Sequence, residues 1–169
     1  MNARKQAARI TRLTVAAAVG ACLAAGALAA PMKIEAVIAP KADSRMDFAD
    51  GSKRFLVATQ REGKATGSGP LAGATMLEWG MHEVNPATGA NANGYLVFTT
   101  AEGDVAYIKY QFRGVPVPGA DGKPRFLANG NWETAGGTGK LKGLHGAGAL
   151  QFIPAERRFV LDGDLVAAD

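Results

Sequence analysis

Past Ser52 the chain alternates apolar and polar residues with a period of two, and no window of a dozen residues holds its apolar positions at helical spacing. The alternation predicts strands over Lys53–Gln60, Ala72–Val84, Gly94–Thr100, Val105–Arg113, Arg125–Glu133, Gly146–Phe152 and Arg158–Val166. A shorter alternating stretch, Lys33–Ile38, brings the set to eight. The breaks fit: Ala101-Glu102-Gly103-Asp104 reads as a hairpin turn, Asn85–Asn93 and Gly114–Pro124 as loops, and Pro154-Ala155-Glu156 as a turn before the last strand. Short, evenly spaced strands with such turns predict an all-β fold, a single eight-stranded antiparallel β-barrel or a sandwich of the same strands.

Parity predicts which face is buried. One face collects Phe55, Val57, Leu77, Trp79, Met81, Leu96, Phe98, Ile108, Tyr110, Phe112, Phe126, Ala128, Trp132, Leu150, Phe152, Phe159, Leu161 and Leu165. The other collects Glu78, His82, Lys109, Gln111, Arg113, Asn129, Asn131, Glu133, His145, Gln151, Arg158, Asp162 and Asp164. Such segregation is what an antiparallel sheet with one buried face requires. Glycines inside predicted strands, among them Gly80, Gly130, Gly146, Gly148 and Gly163, suit a sheet that bends sharply enough to close.

The interior then has two readings: a core filled by its own side chains, or a cavity for one small hydrophobic ligand. Under the second, Trp79, Phe98, Tyr110, Phe112, Trp132 and Phe152 line the site. Glu83, placed inward by parity near a strand end, and Tyr110 are the candidates for proton transfer.

The first 29 residues differ. Arg4, Lys5, Arg9 and Arg12 precede an alanine-rich apolar run, Leu13 to Leu28, which ends in Ala27-Leu28-Ala29. This is the layout of a secretory signal peptide with cleavage after Ala29, predicting a periplasmic or secreted protein. A retained span needs about 20 well-hydrophobic residues, and none is expected after processing. Val19-Gly20-Ala21-Cys22 offers the alternative of a lipoprotein acylated at Cys22, although Leu23 to Ala29 stay apolar where a tether is polar. Residues 30–52 read as a short strand or arm with an irregular lead-in, and 53–169 as the barrel domain.

Charge and composition narrow the chemistry. Of 19 basic residues four lie in the leader, and the 15 that remain balance 15 acidic ones, so a nucleic-acid partner held by bulk charge is excluded. The single cysteine falls in the leader, which removes thiol catalysis and disulfides from the mature chain. His82 and His145 are the only histidines, and His82-Glu83 lacks the second histidine of a zincin, so no metal is expected. Gly136-Gly137-Thr138-Gly139-Lys140 misses the spacing of a phosphate loop, and Gly67-Ser68-Gly69-Pro70-Leu71-Ala72 precedes no helix, so no nucleotide cofactor is expected.

The segment from Gly136 through Thr138, Gly139, Gly143 and Gly146 to Gly148 is similar to the G-G-T-G-K-[FL]-x-G-x-x-G-x-G segment of bacterial allene oxide cyclase barrel-like proteins, and more distantly to a glycine segment of plant dirigent proteins. Gly94-Tyr95, Thr99 to Asp104 and Trp132-Glu133 also resemble the bacterial pattern, so the resemblance covers Phe55 to Val166. It implies an eight-stranded antiparallel barrel with an apolar cavity, trimeric in plant members, and an activity of fatty-acid epoxide cyclisation or oriented phenoxy coupling. No catalytic residue carries over by motif. Three functions follow as expectations: an exported barrel binding a small hydrophobic ligand, a cyclase or coupling director acting on a lipid or phenol, or a structural homo-oligomer without a pocket.

Overall fold

The computed structural model describes residues 29–119 and 121–166. The leader and Cys22 lie outside them. Eight strands run in chain order: β1 (Ala30–Asp47), β2 (Phe55–Ser68), β3 (Thr75–Asn85), β4 (Gly89–Thr99), β5 (Val105–Pro118), β6 (Pro124–Gly137), β7 (His145–Ile153) and β8 (Arg158–Val166). Each is antiparallel to its sequence neighbours, and β8 pairs back onto β1 from Ala30↔Leu165 to Val37↔Arg158, closing the barrel. Closure removes the sheet's long free edges.

Several strands outrun the alternation that predicted them. β1 does not stop at Ile38; it continues to Asp47 past a register shift between Pro40 and Ala42. Proline has no N–H to donate, and a bulge is a position where the ladder can spare one. The predicted loop at Gly114–Pro124 is mostly ladder, with Gly114 to Pro118 opposite Ala128 to Pro124 and the chain turning at Gly119–Lys123. β6 pairs with β7 only from Ala128 to Glu133, and β5 pairs with β4 only as far as Gly114, so the outer part of this hairpin has a free edge on each strand, which tolerates Pro124 on β6 and Pro116 and Pro118 on β5.

The two ends of the barrel differ. At one end the β2–β3 connection tucks in Leu71 and Ala74, and the β6–β7 connection tucks in Leu141 and Leu144, all four joining the core. The glycine segment builds this plug. Gly139 and Gly143 take left-handed backbone, Thr138 exchanges hydrogen bonds with Val105, and the Lys140 amide donates to Asp104 Oδ2 at 3.1 Å. The segment's role is to pin the β6–β7 connection onto the β4–β5 hairpin. The opposite end carries no apolar plug among the described residues.

Between the ends the interior is packed. Trp132, Tyr110, Phe98, Phe159, Met32, Ile34, Met76, Leu96, Ile108, Leu150 and Leu161 are fully buried. The inward glycines explain how Trp132 fits: a Cβ at Gly148 would lie 2.8 Å from the indole Nε1, and one at Gly163 would lie 2.8 Å from Cζ2. The room left by those glycines is occupied by the indole, and an eight-stranded barrel is just wide enough to be filled in this way.

Candidate functional site

The parity reading fails on β3, and the site follows from the failure. Met76, Glu78 and His82 point inward, whereas Trp79 is 52 % exposed and Met81 lies beside it on the outer face. The reading put the largest apolar side chains inside, but an outward apolar residue costs little. The decisive partner is on β2: Arg61 stands opposite Glu78, and Thr59 stands opposite Gly80. Two further assignments fall with it. Trp79 does not line the interior. Glu83 faces out at the rim, 3.4 Å from Arg54 Nη1.

Inside the barrel a carboxylate, an imidazole and a phenol meet. Glu78 is 0 % exposed and His82 and Tyr110 are buried with it. Tyr110 donates its hydroxyl hydrogen to Glu78 Oε1 at 2.5 Å, and His82 Nε2 lies 3.1 Å from both Glu78 Oε1 and the Tyr110 oxygen. Gly80 makes this convergence possible: a Cβ there would stand 2.5 Å from the Tyr110 oxygen, 2.8 Å from His82 Nε2 and 2.9 Å from Glu78 Oε1. Desolvation, reinforced by the neighbouring Glu78 carboxylate, pushes the Tyr110 phenol far above its ordinary value, so it stays a neutral donor.

The second carboxylate oxygen, Oε2, faces Arg61 Nη1 at 3.5 Å. Both atoms are buried and neither makes a hydrogen bond. A buried polar atom without a partner costs about 1–3 kcal/mol. Arg61 is therefore a half-made contact, with a carboxylate on one side and an aromatic wall on the other. Its guanidinium lies 5.8 Å from the centre of the Phe152 ring.

That wall is continuous. Phe152 packs on Phe159 at 4.9 Å and on Phe112 at 5.7 Å between ring centres; Phe112 stacks on Tyr110 at 6.0 Å and meets the His82 ring edge-on at 5.7 Å. It leads from the polar cluster toward the unplugged end. There a cleft of about 230 Å³ opens, lined by Ile38, Pro40, Asp43, Arg61, Phe152 and Arg157. Thr59 donates to Asp43 at its side, anchoring the part of β1 beyond the bulge.

Of the predicted site residues, the structure brings Tyr110, Phe112 and Phe152 together here. Phe98 and Trp132 are fully buried packing residues rather than part of the cleft's lining. Glu78, His82 and Arg61 were missed. The signal available was the charged pair that the β2–β3 hairpin register places opposite one another, with a glycine two residues further along β3. Among the described residues no group of three or more histidines, cysteines and acids could hold a metal. No protein-family profile matches this chain, and neither does any curated protein or solved structure.

Proposed function

We propose that the unplugged end of the barrel binds a small, largely apolar molecule bearing one polar group. The observation that carries this reading is the buried Arg61–Glu78 ion pair, whose Nη1 and Oε2 make no hydrogen bond, with Arg61 lining a cleft walled by Phe152. A ligand carbonyl could accept from Arg61 Nη1, and a hydroxyl could also donate to Glu78 Oε2, while its apolar body lies against the rings. The cleft is smaller than typical ligand pockets of about 300–1,000 Å³, which favours a single-ring or short-chain compound. The resemblance of the glycine segment to allene oxide cyclase barrel-like proteins is in keeping with an interior site, and an exported location remains part of the proposal.

Calorimetry against a panel of phenols, aryl ketones and short-chain hydroxy lipids tests it. At least one compound binds saturably, and Arg61→Lys, which keeps the charge but loses the planar fork, weakens that binding by about tenfold. A panel without saturable binding, or binding indifferent to Arg61→Lys, would remove the reading.

A second reading, a cyclase or coupling director, is favoured by the carboxylate, imidazole and phenol lying within hydrogen-bonding reach of one another inside the barrel. Such a group can move a proton to or from a bound substrate. It is separated from simple binding by His82→Gln, which leaves the Arg61–Glu78 pair in place and would abolish turnover of a bound compound while leaving its affinity nearly unchanged.

A further inference from the structure

The outer surface of β4, β5 and β6 carries an ordered array of planar polar side chains. The registers align three rows across the strands: Tyr95–Lys109–Glu133, Asn93–Gln111–Asn131 and Asn91–Arg113–Asn129. All nine residues are exposed. Two of the three charges in the array cancel within it, and the third is held by a neutral amide. Lys109 pairs with Glu133 at 3.3 Å, and Arg113 donates to Asn91 Oδ1 at 2.8 Å. Among the described residues the side-chain amides of Asn93, Gln111, Asn129 and Asn131 make no hydrogen bond within the protein, so four donor–acceptor groups stand free on adjoining strands.

These residues line a trough rather than a smooth convex wall. One depression of about 440 Å³ includes Asn93, Tyr95, Gln111 and Asn131, and one of about 360 Å³ shares Asn93, Gln111 and Asn131 with it. A third, of about 420 Å³, continues across β3 and β2 past Trp79, Met81 and Gln60. Trp79 stands directly opposite Tyr95 in the β3–β4 register, and both rings are exposed.

We infer that this trough is a binding platform for a neutral oligosaccharide chain. A primary amide donates and accepts at once, as a sugar hydroxyl does, so a row of free amides matches a row of hydroxyls without needing a charged ligand. Trp79 and Tyr95 offer flat apolar faces to the C–H side of a pyranose ring while keeping a polar edge wet. The Lys109–Glu133 pair cancels within the array and leaves Arg113, held on a neutral amide, as its one uncompensated charge, so an anionic polymer finds a single charged anchor where an uncharged one finds four free amides. A second copy of this chain fits less well, since burying four free amides would require matched partners for each of them.

Affinity electrophoresis in native gels containing dextran, galactomannan, xyloglucan or laminarin, with alginate as the charged control, tests the inference. At least one neutral polysaccharide retards the protein. Asn93→Ala combined with Gln111→Ala, and separately Trp79→Ala, each weaken that retardation by about tenfold, with thermal melting unchanged. Arg61→Lys leaves it intact, which keeps this platform distinct from the interior site. Retardation by alginate alone, by none of the neutral polymers, or equally in the outer-face variants overturns the inference. So does light scattering that reveals an oligomer in which Trp79 is shielded from quenchers.

Discussion

Trp132→Ala is expected to destabilise the barrel by about 3–5 kcal/mol, read from urea unfolding monitored by circular dichroism. The indole is 1 % exposed, and its Nε1 donates to the Asp162 carbonyl at 3.3 Å. Its size matters because of what lies beside it. Gly130, Gly148 and Gly163 present no side chains to the same region, and all three are hemmed in by backbone of the adjacent strand, so none of their strands can collapse into the gap. A cavity that its surroundings cannot fill is the costly kind. Domains of this size are stable by about 5–15 kcal/mol, so the variant would lose a large part of the total. Trp132→Phe, which keeps a ring but loses the donor, is expected to cost distinctly less. A midpoint for Trp132→Ala within the error of the parent would mean that the indole does not fill the interior.

Gly80→Ala is expected to cost about 2–3 kcal/mol and to weaken any ligand binding at the unplugged end. One methyl group at this position would stand 2.5 Å from the Tyr110 oxygen, inside the space that Glu78 and His82 also share. The three polar groups would have to separate, leaving at least one buried without its partner. The mechanism has a signature: adding Tyr110→Phe to Gly80→Ala removes the hydroxyl that the methyl strikes. The double variant is then expected to be more stable than the sum of the two single changes, as contacting residues are seldom additive. Strict additivity would place the cluster elsewhere.

Much of the architecture could be read from residue order alone, and particular strands show why. β8 was predicted over the same residues that it occupies, because Phe159, Leu161 and Leu165 alternate with Asp162 and Asp164 without interruption. β5 and β6 were also oriented correctly, each carrying large aromatics on one parity and amides or charges on the other. β3 offered two competing apolar sets. Leu77, Trp79 and Met81 looked heavier than Met76, Glu78, Gly80 and His82, and local pattern has no way to weigh a buried ion pair against an exposed indole. Only the β2 partner decides it, and that is a long-range fact. The extensions of β1 and of the β5–β6 hairpin were hidden for a different reason. Their prolines read as breakers, and whether a proline is tolerated depends on a bulge or a missing neighbour that one strand does not reveal.

The orientation of β3 underlies both the interior site and the outer platform, and collisional quenching of tryptophan fluorescence tests it directly. With Trp79→Phe, the remaining indole at 132 is predicted to resist acrylamide and iodide until the protein unfolds. With Trp132→Phe, the indole at 79 is predicted to be quenched nearly as readily as free tryptophan while the fold persists. A shielded indole at 79, or one at 132 quenched freely in the folded protein, would contradict the account.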